Sequence, residues 1–230
     1  VTRNVCIAID GPVASGKSTI GSKLAELMRI PYLDTGAMYR GVTSLVLARG
    51  IDPNDEAAVT EIARTVRFGF PELEGTQAVH PPLLADGVDI TQSLRSPAVE
   101  RNASLVSSYG GVREAMVDQQ RRIRGEHSVV MVGRDIGTVV APDADLKIFL
   151  TASAEDRARR RNAERHEAGI DESFETTLTD LKRRDKFDSE RPISPLRVAD
   201  DAIVVDTTGH SLEEGTDRVV KLVHNMLSIV

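Results

Sequence analysis

The chain has little with which to cross-link itself or hold a heavy metal. Among 230 residues there is one cysteine, Cys6, so no internal disulfide can form. Its place in an apolar run marks it as a small buried hydrophobe. The five histidines, His80, His127, His166, His210 and His224, are scattered. None stands at ligand spacing from another or from Cys6, which argues against zinc. Tryptophan is absent and aromatics make up only 3% of the chain. Tyr32, Tyr39 and Tyr109 are not interleaved with a basic stripe, and the net charge is −6. A nucleic-acid polymer is therefore not the expected partner. No apolar run approaches the roughly 20 residues of a membrane span. The opening residues carry no basic segment followed by an apolar one, so no signal peptide and a cytoplasmic location are expected. What remains, 40% hydrophobic and 28% charged residues, is the ordinary composition of a folded domain, or of a core with inserted subdomains.

One segment stands out. Gly11-Pro12-Val13-Ala14-Ser15-Gly16-Lys17-Ser18 fits the phosphate-loop pattern, with Thr19 following. It comes directly after the apolar run Val5 to Ile9 and directly before a helical stretch, Thr19 to Met28. Strand, glycine loop and helix together give the pattern its mechanism. Backbone N–H groups of such a loop form an anion nest, and the helix start adds partial positive charge. Lys17 is then expected to reach the β- and γ-phosphates of ATP, and the Ser18 hydroxyl to ligate Mg²⁺.

The rest of the chain alternates in the same way. Pro31–Leu33, Ser128–Val132, Leu146–Leu150 and Ala202–Val205 read as further apolar strands. Thr35 reads as the cap of a helix that runs to about Arg49 and stops at Gly50. Leu212–Leu227 is an amphipathic helix. Buried strands separated by helices predict an α/β fold: a five-stranded parallel sheet of the P-loop NTPase type, with helices on both faces. Residues 65–92 break the alternation. Val66–Phe70, Gln77–Ala85 and Val88–Ile90 read as short antiparallel strands with a hairpin at Asp86-Gly87, an inserted β-subdomain. Pro81-Pro82 marks the middle run as an edge or a bulge. The acidic stretch Asp52–Glu56 reads as a solvated linker.

In a parallel sheet, ligands gather at the carboxyl ends of the strands. Two such ends each deliver an arginine: Arg40, after the second strand, and Arg134, in Gly133-Arg134-Asp135 after the third. The planar guanidinium suits bidentate phosphate binding. The helix from Ser173 carries Phe174, Leu178 and Leu181 on one face, which continues as Arg184, Asp188 and Arg191. Buried charge without partners is costly, so this face is either a salt-bridged helix end or the lining of a polar site. Pro192 should end the helix at Arg191. Ser153-Ala154-Glu155-Asp156 starts another helix with a capping-box pattern. It bears five arginines in nine residues: Arg157, Arg159, Arg160, Arg161 and Arg165. These fit either a salt-bridged surface helix or a lid that folds over the donor phosphates.

With these segments identified, the chain resembles the bacterial cytidylate kinases, a family of nucleoside monophosphate kinases, nearly end to end. The resemblance rests on Ile9-Asp10-Gly11-Pro12 leading into the phosphate loop and on Leu33-Asp34-Thr35-Gly36-Ala37-Met38-Tyr39-Arg40. It continues through Asn102-Ala103-Ser104, Val112-Arg113-Glu114-Ala115, Gly133-Arg134-Asp135-Ile136-Gly137-Thr138-Val139-Val140, and Arg184-Asp185 through Asp188 to Arg191. It implies three parts: a core of residues 1–35, 128–153 and 170–230; a monophosphate-binding domain at 36–127, enlarged by the β insert; and a helical lid at 154–169. It also implies that Arg40, Arg134 and Arg191 hold the acceptor phosphate. Ser104, Arg113 and Asp135 would read the cytosine edge, and Arg184 and Asp188 would reach the ribose. Thr35 would belong to the CMP site, where many relatives have serine. Lys17, Arg134 and Arg191 would act in catalysis, with Arg157, Arg160 and Arg161 touching donor phosphates from the lid. Val132 departs from the family pattern, which usually has an acid there to support the metal, and leaves Asp34 or Asp10 as the alternatives for that support.

The implied reaction is ATP plus CMP or dCMP giving ADP plus CDP or dCDP, with Mg²⁺. A monomer is the expected state, since no strand edge or apolar stripe in the sequence advertises a partner. Two rivals remain. One is a kinase of UMP or of another small acceptor. The other is a nucleotide-dependent switch or ATPase with a protein partner.

Overall fold

Four of the five parallel strands carry the β-branched, apolar residues that suit a covered sheet. The computed structural model describes residues 4–70, 82–126, 128–167 and 169–227. In chain order, β1 (Cys6–Asp10) is followed by α1 (Lys17–Met28), β2 (Tyr32–Asp34), α2 (Thr35–Ala48) and α3 (Glu56–Thr65). Then come β3 (Phe68–Gly69), β4 (Leu84–Ala85), β5 (Val88–Asp89), α4 (Pro97–Val106) and α5 (Gly110–Glu126). The chain closes with β6 (Val129–Gly133), β7 (Leu146–Thr151), α6 (Ala154–Glu167), α7 (Phe174–Glu190), β8 (Ile203–Asp206) and α8 (Leu212–Leu227). Five strands form a parallel sheet in the order β2-β6-β1-β7-β8. Ile7 pairs with Leu146 and Asp10 with Phe149, and Ile148 pairs with Ile203. All five residues of β1 and of β6 are buried, Cys6 among them.

The chain divides into two compact units, Val1–Val5 with Ala25–Met131, and Cys6–Leu24 with Val132–Val230. In the first, α2 packs on α3 and α4, and α3 packs on α5. Met38, Val42, Val46, Val59, Val106, Val112 and Met116 form its interior. The β insert is present as an antiparallel sheet, β3-β4-β5. Its hairpin turns at Asp86 and Gly87, both at positive φ (49° and 82°), as a two-residue turn of the I′ kind demands. The expected strand from Gln77 lies mostly outside the described residues, as does Pro81. In the second unit, Ile7, Ile9, Ile148 and Leu150 join Ile20 and Val219 in the core. Among the described residues no helix is long and apolar enough to cross a membrane.

Two local readings of the sequence need correction. Helix α2 starts at Thr35, and its N-cap position is Asp34, which makes no capping hydrogen bond. The Asp34 carboxylate is instead ion-paired with Arg40 at 2.9 Å, so Thr35 is helical and buried rather than a cap. The stretch Asp52–Glu56 is not a featureless linker. Asp55 caps α3, its carboxylate accepting from the Ala58 N–H at 3.0 Å, and Glu56 already lies in the first turn. The acids are there because helix N-termini leave donors unsatisfied. By contrast α7 ends where Pro192 requires. Arg191 is extended (φ −63°, ψ 141°), the conformation that proline imposes on its predecessor.

Candidate active site

The phosphate loop is shaped by three unusual backbone positions: Gly11 at φ 150°, Ala14 at 57° and Gly16 at 90°. Gly11 is also pressed against β7. A Cβ at this position would stand 2.0 Å from the Leu150 carbonyl oxygen. Backbone cannot yield as a side-chain tip can. Gly11→Ala should therefore force the loop off β7, at or beyond the upper end of the roughly 1–3 kcal/mol range for over-packing. A thermal melt and ATP titration check this, and a wild-type Tm with wild-type ATP affinity would refute it.

Lys17 is buried at the first turn of α1. Its Nζ donates to the Pro12 carbonyl at 2.6 Å and to the Ser15 hydroxyl at 3.3 Å, so the ammonium is folded into the loop. Ser18 and Thr19 are exposed beside it, at the end of α1 where N–H groups have no helical acceptor. The loop is braced from α6. Arg157, only 5% exposed, donates from Nη1 to the Val13 carbonyl at 3.1 Å and from Nε to the Ala152 carbonyl at 3.0 Å. The same guanidinium makes a bidentate pair with Asp185 of α7, at 2.6 and 3.1 Å.

The strand-end arginine of β6 meets the charged face of α7. Arg134 Nε donates to Asp188 Oδ2 at 2.9 Å. Arg191 lies 3.6 Å from Asp188 Oδ1 and donates from Nε to the Ser194 carbonyl at 2.6 Å. One carboxylate thus gathers two arginines, and the charged end of this helix face is ion-paired. Arg184 is half-buried on the same helix. Asp135, 4% exposed, opens a π-helical turn, Ile136–Val140, and its carbonyl accepts from Val139 and Val140.

Asp10, at the end of β1, is a buried carboxylate whose two oxygens accept from the N–H groups of Ile136 (2.8 Å) and Gly137 (2.7 Å). Burial pushes its pKa up to about 6. The two N–H bonds restrain that rise, the nearby Asp135 adds to it and Lys17 opposes it.

The remaining arginines of α6 also have protein partners. Arg160 donates to the carbonyls of Thr207 and His210. Arg159 pairs with Asp156, Arg161 with Glu164 and Arg165 with Glu172. These contacts anchor the helix to its own unit.

The other unit holds the remaining expected residues. Arg40 is paired with Asp34, and Thr35 is buried. Arg113 is 2% exposed, with its guanidinium carbon 5.3 Å from the centre of the Tyr39 ring and Nη1 donating to the Ser107 carbonyl at 3.2 Å. Ser104 is half-buried on α4, its carbonyl accepting from the Ser107 hydroxyl at 3.0 Å. Sequence reasoning gave no role to Asp185 or Tyr39, and it took Asp10 only as an alternative support for the metal. The signal of Asp10 is an acid at the end of an otherwise apolar strand.

A parallel sheet, a glycine loop at the end of β1 and a lysine folded into that loop define a phosphate-loop α/β protein of the kinase kind. A solved structure of an uncharacterized protein from Eubacterium ventriosum shares this fold, with a TM-score of 0.54 at 15% identity over 97% of this chain and 99% of that one. The family model for cytidylate kinase matches residues 7–225. The cytidylate kinase of Bacillus licheniformis is 44% identical over 222 residues, 96% of each chain. That of Desulforamulus reducens is 44% identical over 220 residues, 96% of this chain and 97% of that protein. The chain belongs to the cytidylate kinase family.

Proposed function

We infer that this chain transfers the γ-phosphoryl group of ATP to CMP or dCMP, forming ADP and CDP or dCDP. Within one unit, the lysine-bearing phosphate loop is tied through Arg157 to the helix whose Asp188 gathers Arg134 and Arg191. That arrangement carries the reading, because phosphoryl transfer needs in-line positioning and positive charge more than covalent chemistry. Lys17 neutralises the β- and γ-phosphates. Arg134 and Arg191, with Arg40, hold the acceptor phosphate. The acceptor is already an anion, so no strong general base is required. Arg184 and Asp188 reach the ribose. Arg113, Ser104 and Asp135 supply the donor and acceptor groups that a cytosine edge needs, and Thr35 lines the same site. Buried polar groups of this kind reject a wrong base because it leaves them unpaired.

The exposed Ser18 hydroxyl is a hard oxygen ligand of the sort Mg²⁺ takes alongside substrate phosphates, so the site fits the ion with few protein ligands. Bound there, Mg²⁺ would neutralise charge on the phosphates. Val132 brings no carboxylate to the end of its strand, which leaves further support of the ion to other groups.

We assign residues 36–127 to monophosphate binding and 154–169 to a lid. Arg160 and Arg161 would exchange their present protein acceptors for donor phosphates, while Arg157 stays with Val13 and Asp185. The working form is a monomer in the cytoplasm.

Coupled ADP production with ATP·Mg²⁺ tests the reading against CMP, dCMP, UMP, AMP and no acceptor. Turnover confined to CMP and dCMP is expected. A UMP rate at or above that of CMP would overturn the specificity, and acceptor-independent hydrolysis would favour a switch or ATPase. Arg191→Ala should raise the CMP KM and lower kcat, together a loss of roughly ten- to a hundred-fold in kcat/KM for one charge-assisted contact. The ATP KM should stay within about twofold on the same grounds. A selective loss of ATP binding would move Arg191 to the donor side.

A further inference from the structure

Asp10 takes no part in the reaction as described above, yet it sits at its crossroads. Its main chain leads directly into Gly11 and the phosphate loop. Its side chain reaches across to the segment after β6, where Oδ1 and Oδ2 accept from the adjacent N–H groups of Ile136 and Gly137 at 2.8 and 2.7 Å. Those amides open the π-helical turn that follows Arg134 and Asp135 without a break. The turn folds back so that Val139 and Val140 donate to the Asp135 carbonyl. Arg134 and Asp135 are thus held by β6 on one side and by the Asp10 carboxylate on the other.

We propose that Asp10 is a positioning residue, whose carboxylate clamps the Ile136 and Gly137 amides and so fixes the Arg134–Asp135 segment against the start of the phosphate loop. Two adjacent N–H donors need two acceptors on one short side chain, and only a carboxylate provides them. Asparagine, of equal size, would turn an NH₂ toward one of the donors. A residue needed only to fill the end of β1 would not have to be charged, and burying that charge raises its pKa.

The neighbours fix how the clamp responds to pH. Lys17, from α1, favours the anion, and Asp135, at the head of the clamped turn, opposes it. Lys147 of β7 passes beneath the turn, where a Cβ on Gly137 would lie 3.2 Å from Lys147 Cδ, but its Nζ is held by Asp201 and the Pro142 carbonyl. Above a pH of about 6 the anion accepts both N–H groups. As pH falls through that value the protonated oxygen becomes a poor acceptor, and the segment loosens.

The inference rests on the CMP-kinase reading only for its kinetic arm, so the experiment has two arms on the full chain. Amide NMR of the wild type is followed from about pH 7.5 to 5. The Ile136 and Gly137 amide signals should shift together with a midpoint near 6, and Asp10→Asn should abolish that shared titration. In steady-state assays near pH 7.5, Asp10→Asn should raise the CMP KM roughly tenfold and leave the ATP KM within about twofold. The wild type is expected to lose activity on the acid side near pH 6 on the same substrates, and Asp10→Asn should remove that part of the loss. Amides that do not titrate in the wild type, or equal rises in both KM values, would overturn the clamp. If the wild type fails to phosphorylate CMP, the functional reading falls, and the wild-type amide titration alone decides for or against the clamp.

Discussion

Arg157→Ala is expected to lower the unfolding free energy by about 3 kcal/mol, the lower end of the range for breaking a buried ion pair. In a chain of this size that is roughly 6–12 °C in Tm. The guanidinium is almost wholly enclosed and has three kinds of acceptor: the Val13 and Ala152 carbonyls and both oxygens of Asp185. Truncation strands the carboxylate and frees the carbonyl that braces the phosphate loop. Asp185 keeps some solvent contact, which is why the smaller figure applies. Arg157→Lys should recover only part of the loss, because an ammonium cannot reproduce the planar fork. Urea denaturation and a thermal melt measure this directly. A residue that only touched donor phosphates would leave the stability of the free protein unchanged and raise the ATP KM alone. Unaltered stability in Arg157→Ala would therefore return Arg157 to the lid.

Lys17→Met should reduce kcat by roughly a hundred- to a thousand-fold, the usual cost of removing one preorganised group that stabilises transition-state charge. Methionine keeps most of the buried volume and removes only the ammonium. In the free protein that ammonium is held by the Pro12 carbonyl and the Ser15 hydroxyl, so it is preplaced inside the loop. The fold should survive, since losing one hydrogen-bonded buried cation is partly offset by ending its desolvation. CMP binding, measured by calorimetry without ATP, should be unchanged within about twofold, because the loss is confined to the phosphoryl-transfer step. A kcat within tenfold of wild type would remove Lys17 from the chemistry.

The contrast between these two residues shows what a pattern of residue types conveys. Lys17 was legible because its spacing after Gly11 and Gly16 has one mechanical meaning between a strand and a helix. Arg157 was legible only as one of five arginines on a helix, a pattern that fits a lid and a salt-bridged surface equally well. Whether a guanidinium meets a phosphate or a carboxylate depends on what lies opposite. Asp185 of α7 lies 28 positions away in the chain. Tyr39 and Arg113 illustrate the same point: their ring-to-cation contact joins α2 to α5, and neither residue's local sequence announces the other.

By itself the sequence determined the parallel sheet, the glycine loop, the β insert with its Asp86-Gly87 turn, and the end of α7 before Pro192. These follow from short-range physics: side-chain periodicity, the φ that each residue tolerates, and the few residues that suit a turn or a cap. The tertiary structure alone decided which carboxylate takes which arginine. Asp34 takes Arg40, Asp185 takes Arg157, and Asp188 takes both Arg134 and Arg191. It also decided that Asp10 spends its charge on two backbone amides rather than on a cation. Buried charges are costly, so every one must find a partner. That partner is chosen by proximity in the folded chain, which local sequence does not encode.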